Sequence, residues 1–157
     1  MPVPDFILAL RQHVGHATLP LVGVSGVVRD DADRLLCIQR ADNGQWSLVS
    51  GILEPGEEPM TALAREVWEE TALTVEVGEL TSVLALPPIT YPNGDVAQYL
   101  DLCFRCRPIG GEARVNDDES LAVGWFALDA LPALSPTARE RLALALAFQG
   151  RPHFGRL

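Results

Sequence analysis

The chain has 157 residues, 48% of them apolar, with both signs of charge spread along it. That is enough for a full hydrophobic core without staples and speaks against a disordered chain. The formal net charge of −9 speaks against a general electrostatic grip on DNA or RNA, which needs basic patches, so a phosphate-bearing ligand would need a metal as intermediary.

The start, Met1–Arg11, lacks the basic segment and long apolar stretch of a secretory signal. No later run is long and apolar enough to span a bilayer, so the expected location is cytoplasmic. Asp5 to Val14 carries Phe6, Ile7, Leu10 and Val14 at helical spacing, with Pro4 placed to open an appended helix within residues 1–16. Leu21–Val28 and Leu35–Gln39 read as strands of a hairpin closed by the acidic turn 30–34. Cys37 and the pair Cys103 and Cys106 are odd in number and form no disulfide framework. The latter two sit three apart in an alternating strand, Gln98–Cys106, and so point to opposite faces rather than sharing a metal.

A turn centred on Asn43–Gly44 leads to a short strand, Trp46–Ser50. Pro55–Gly56 makes 52–56 a loop, and a helix is expected to start near Pro59. Thr74–Val77 and Leu80–Leu86 read as two strands, 91–95 as a tight loop, and Leu121–Leu128 as the last strong strand. Ser135 and Pro136 have the chemistry of an N-cap and first helical residue, opening a terminal helix within 135–149. Strands flanking one helix, then more strands and a terminal helix, give an α/β mixed sheet covered on both faces within a single domain, 1–157.

Glu66, Glu69 and Glu70 stand at i, i+3 and i+4 and share one face of the expected helix. Like charges at that spacing cost a helix roughly 0.2–0.5 kcal/mol per pair, a cost that an ion or cationic partner offsets. Hard carboxylate oxygens in that number suit Mg²⁺ or Mn²⁺, whereas zinc would want His or Cys. His13, His16 and His153 have no metal-ligand partner at useful spacing, and no P-loop sequence is present.

The segment Gly51–Leu73 resembles the box of the Nudix hydrolase family. Gly51, Glu57, Arg65, Glu66, Val67, Glu69, Glu70 and Leu73 fall in its register, and Ala72 stands where the pattern has its last Gly. A left-handed backbone is the usual reason for that Gly. The resemblance implies a Nudix-type α/β/α sandwich with a central mixed sheet and the box as loop-helix-loop. It also implies Mg²⁺- or Mn²⁺-dependent hydrolysis of a nucleoside diphosphate linked to another group, such as ADP-ribose, a dinucleotide or a nucleoside triphosphate, by metal-activated water.

By the same resemblance Glu66, Glu69 and Glu70 are the metal ligands, joined by the backbone carbonyl of Ser50. Arg65 pairs with Glu57, tying the loop to the helix and keeping its charge away from the metal carboxylates. A further carboxylate from outside the box is expected, and Glu119 of the run 117–119 is the favoured one. For the substrate, Arg40 is placed to touch a phosphate, while Trp46 and Tyr91, with Tyr99 and Trp125 as further candidates, are placed to stack on a base, although Trp125 belongs to an apolar strand and core packing is its expected role. The implied partner is a small nucleotide-type molecule, neither a nucleic acid polymer nor a membrane, with a homodimer as the assembly allowed for. A non-catalytic nucleotide-sensing module and an isopentenyl diphosphate isomerase, which would need a cysteine, are the alternatives.

Overall fold

The computed structural model describes residues 3–155, so the two outermost residues at each end of the expected 1–157 domain lie outside it. The elements run α1 (Asp5–Val14), β1 (Leu19–Val28), β2 (Leu35–Arg40), β3 (Trp46–Ser47), β4 (Val49–Ile52), α2 (Pro59–Thr71), β5 (Thr74–Ala85), β6 (Ile89–Thr90), β7 (Val96–Gly110), β8 (Ser120–Phe126), α3 (Pro136–Leu146) and β9 (His153–Phe154). A mixed sheet orders them β4-β1-β7-β5-β9, with β6 added to β7, and a smaller antiparallel sheet orders β3-β2-β8. The parallel pair β1–β7 lies at the centre of the larger sheet, where both faces are covered, and β1 reads as a near-continuous apolar run for that reason.

The two faces of β1 sort the core. Val24 and Val28 pack with Ala62, Leu63 and Val67 of α2, whereas Val27 packs with Ala138, Leu142 and Ala145 of α3. The molecule is therefore an α/β/α sandwich. Cys106 falls in the first cluster and Cys103 in the second, as three residues along a strand require. On the α3 side a buried ion pair crosses the packing: Arg141 Nη2 and Nε donate to Asp101 Oδ1 and Oδ2 at 2.7 and 2.9 Å, and Ser25 Oγ donates to Oδ2 at 2.9 Å. Ser135 caps α3 as its type and place imply, its Oγ accepting from the Ala138 N–H.

Several expectations need correction. The turn at 30–34 forms, with the Asp30 N–H donating to the Arg34 carbonyl, but the backbone ladder stops at the bridge Arg29–Leu35 and β1 and β2 belong to different sheets. β1 already has a neighbour on each side, β4 and β7. The expected strand 46–50 is split: Trp46–Ser47 pairs with β2 and Val49–Ile52 with β1. Ile52 belongs to β4 rather than to the loop. The two strands expected over 74–86 are one, β5, whose ladder with β7 shifts register between Val77 and Leu80 and again before Ser82. Irregularity at Gly78–Glu79 bends the strand without ending it.

α1 is tied on by Ile7, buried with Leu19, Leu21 and Ala97. Arg11 Nη2 donates to the Val96 carbonyl at 2.6 Å, and His16 Nδ1 lies 2.8 Å from Asp95, so the helix is held to the 91–95 loop.

Candidate active site

α2 presents Ala62, Leu63, Glu66, Val67, Glu70 and Thr71 to the interior, so two of its carboxylates follow the apolar stripe into the protein. Glu66 is 1% and Glu70 3% exposed. Glu69 is more open, its side chain 43% exposed. Room for Glu66 comes from Gly51 in β4: a Cβ there would lie 2.0 Å from the Glu66 carboxyl carbon. The glycine at the head of the box is thus a space requirement of the glutamate fifteen residues on.

At its other end α2 stops at Ala72, which has φ 59° and ψ 12° and donates its N–H to the Trp68 carbonyl. This is the left-handed conformation that the family's glycine would adopt freely and that a Cβ opposes by about 1 kcal/mol. Ala72→Gly is expected to raise the melting temperature by about 2–4 °C for a domain of this size. A calorimetric scan showing no rise, or a fall, would mean that the strain is absent.

Segment 111–119 closes over the same helix end. The N–H groups of Arg114 and Asn116 donate to the carbonyls of Thr71 and Glu70, and Asn116 Nδ2 donates to that of Trp68 at 3.0 Å. These contacts satisfy carbonyls that a helix end otherwise leaves open. They also carry Asp117 and Glu119 to the box. Burial, first, and then the charge of Glu119 push the Glu70 pKa up to about 9, with Glu66 and Asp117 adding to it. Burial likewise raises Glu66 to about 7, against the pull of Arg65 and with Glu69 and Glu119 raising it further.

Arg65 makes the expected bidentate pair with Glu57, Nε to Oε1 at 2.9 Å and Nη2 to Oε2 at 3.0 Å. That bond holds the Glu57 carboxyl below the usual range. The expectation that it keeps Arg65 off the other carboxylates is wrong. Its Nη1 also donates to Glu66 Oε1 at 2.9 Å and to Glu69 Oε2 at 3.2 Å. A guanidinium has five donors in a planar fork and serves several acceptors at once.

The donor set fits a hard divalent cation, because it is all carboxylate and because Glu66 Oε2 is buried with no hydrogen-bond partner. With Arg65 Nη1 bonded to both Glu66 and Glu69, the carboxylates do not close into a cage. Among the described residues no three His, Cys, Asp or Glu side chains are gathered to hold an ion. Ser50 lies in β4 opposite Ser25, one residue before the glycine that faces Glu66.

Arg40, at the end of β2, forks onto Asp42 at 2.9 and 2.7 Å. That pair, and the charges of Glu70 and Glu119 after it, keep Arg40 firmly protonated. Tyr91 Oη is 2.7 Å from Tyr99 Oη, and Tyr99, with its pKa raised by burial and by Tyr91, is near enough to Arg40 to feel its charge. Trp46 is not among these residues. It sets its indole edge-on to Phe126 at 5.1 Å in the core beneath α3, a packing position rather than a stacking one. Trp125 packs against the core beneath α2.

All three cysteines are buried and free, and burial pushes the Cys37 and Cys106 thiols up to about 12. They are poor candidates for the reactive thiol that an isomerase would need. Trp68 and Asn116, which carry no signal in the motif, both border the groove on the outer side of α2.

A family model, the NUDIX domain, matches residues 19–146 and leaves α1 outside. A MutT-like protein of Streptomyces ambofaciens is 50% identical over 69% of this chain and 64% of its own length. An ADP-ribose pyrophosphatase of Methanocaldococcus jannaschii is 35% identical over 74% of this chain and 67% of its own. The crystal structure of a MutT NUDIX hydrolase from Burkholderia pseudomallei superposes with a TM-score of 0.67 at 31% identity, covering 80% of this chain and 98% of that one. The chain thus spans just under two thirds of the Streptomyces relative. With the box in register, its helix and loop in the expected geometry and the family model matched over most of its length, the chain belongs to the Nudix family.

Proposed function

We propose that the protein is a divalent-metal-dependent pyrophosphohydrolase that cleaves the phosphoanhydride of a nucleoside diphosphate linked to another group, ADP-ribose being the first substrate to test. The observation that carries this reading is the burial of Glu66 and Glu70 close enough to feel each other's charge and that of Glu119, with Glu66 Oε2 unpartnered. A packing role would not bury like charges together, whereas an ion-binding role requires it. The name of the Methanocaldococcus relative, an ADP-ribose pyrophosphatase, supports the choice of substrate.

In this reading Glu66, Glu69 and Glu70, with the Ser50 carbonyl, would hold Mg²⁺ or Mn²⁺. Bound there, the metal would withdraw charge from the bridging phosphates and lower the pKa of the attacking water. Glu119, close to Glu66 and Glu70, serves as the carboxylate from outside the box. Arg40 exchanges Asp42 for a phosphate oxygen, since one planar fork suits either partner. Glu57 fixes Arg65 and so the loop on the helix, and Tyr91 borders the substrate. A reducing, cytoplasmic setting belongs to the same reading and is supported by the three free thiols.

Purified protein would be offered ADP-ribose, a dinucleoside polyphosphate and nucleoside triphosphates, with Mg²⁺, with Mn²⁺ and with chelator, and the products identified. Metal-dependent release of a nucleoside monophosphate or of pyrophosphate is expected. No turnover across that panel by folded protein would favour the nucleotide-sensing module instead.

A further inference from the structure

The outer side of α2 borders an open groove of about 840 Å³ that, among the described residues, is lined by seven carboxylates, from Asp5 to Glu119, and by one cation, Arg65. Such a wall repels phosphate and leaves little for a ligand to rest on without cations. The apolar lining is Trp68, Val3 and Pro4. Trp68 follows Arg65 by three positions and precedes Glu69, and residues three apart on a helix share a side. It is 56% exposed, an unusual state for the largest apolar side chain, one with little return in core packing. The chain's other two tryptophans are packed against Phe126 and against the core beneath α2.

The backbone beneath this indole is fixed. The Trp68 carbonyl accepts from the Ala72 N–H at 2.9 Å and from Asn116 Nδ2 at 3.0 Å, so its Cα stands on a helix end pinned by the same segment that brings Glu119 to the box. A rigid, exposed aromatic face beside carboxylates suited to metal-bound phosphates has the form of a base-stacking platform. The geometry points to Trp68 as the surface on which the substrate's nucleobase stacks, with Val3 and Pro4 as apolar wall and the phosphates directed toward Glu69 and the other carboxylates proposed to hold the metal. This assignment rests on the proposed hydrolase reading for its substrate and deepens it by naming the base subsite.

The test compares wild type, Trp68→Phe and Trp68→Ala in two measurements. In the first, tryptophan fluorescence is followed while AMP, GMP or base-free ribose 5-phosphate is added with Mg²⁺. AMP or GMP should quench wild type saturably, ribose 5-phosphate should not, and Trp68→Phe should lose the response. In the second, steady-state kinetics are measured on the best substrate of the panel. KM should rise about tenfold in Trp68→Ala, with kcat moving less than KM, and Trp68→Phe should recover most of the loss because it keeps an aromatic face.

Quenching that persists in Trp68→Phe, equal quenching by ribose 5-phosphate, no quenching of wild type, or a KM unchanged in Trp68→Ala would each overturn the assignment. So would a raised KM that Phe does not recover. If wild type turns over nothing yet shows base-dependent quenching that Trp68→Phe abolishes, the platform stands and the hydrolase reading falls.

Discussion

Glu70→Gln, Glu66→Gln and Glu69→Gln are expected to lower turnover by about 100-fold or more, while leaving the metal-free protein as stable as wild type or more so at pH 8. Each change keeps the side chain's shape, and at Glu66 and Glu70 it removes a carboxyl whose ionisation burial and the neighbouring carboxylates oppose. The sign follows from the raised pKa values. Glu66 and Glu70 titrate at about 7 and about 9 in the folded protein, well above the ordinary glutamate range, so folding takes up protons. The stability linked to them is fully present below about pH 4.5 and is lost as pH rises through 7 and then 9.

Chelated wild-type protein should therefore lose stability on the order of 7 kcal/mol between pH 5 and pH 9, the larger share through Glu70. Much of that slope should vanish in Glu70→Gln. Urea unfolding at a series of pH values reads this directly. If the three substitutions instead destabilise the chelated protein and leave turnover within a few-fold, the glutamates are structural partners of Arg65 and not metal ligands.

Asp101→Ala is expected to cost about 3–5 kcal/mol, the penalty for leaving Arg141 buried without its partner. Arg141 and Asp101 are both within the α3-side packing, and Ser25 would also lose its acceptor. The pair itself is worth less than the cost of breaking it, because bringing two charges out of water is expensive. Replacing both at once, Asp101→Leu with Arg141→Met, should cost less than Asp101→Leu alone. A single substitution that moves unfolding free energy by less than about 1 kcal/mol would show that water reaches the pair.

The box could be read from the sequence because its chemistry is local. Three carboxylates at i, i+3 and i+4, a glycine before them and Ala72 at the helix end are statements about one helix and its neighbours. Ser135 and Pro136 are equally local, and α3 starts where they place it. What could not be read depends on partners far along the chain. Asp101 and Arg141 are 40 residues apart, and nothing in either neighbourhood marks them as a pair.

The divergence of β1 and β2 into two sheets, and the division of 46–52 between them, follows from which strands flank β1, a property that alternation does not encode. Arg65 pairs with Glu57 as the motif implies, but its reach to Glu66 and Glu69 depends on the burial of Glu66 against Gly51. Trp68 had a signal that only the fold makes legible: an aromatic on the outward side of a helix whose other face already fills the core.

The central claim, that the box carboxylates form a divalent-cation site, is tested most directly by Mn²⁺ binding to wild type and Glu70→Gln, following free Mn²⁺ by electron paramagnetic resonance. The claim predicts saturable binding by wild type that weakens at least about tenfold in Glu70→Gln, since a buried carboxylate ligand is lost. Equal binding by the two proteins, or none by wild type at concentrations that support its turnover, would contradict it.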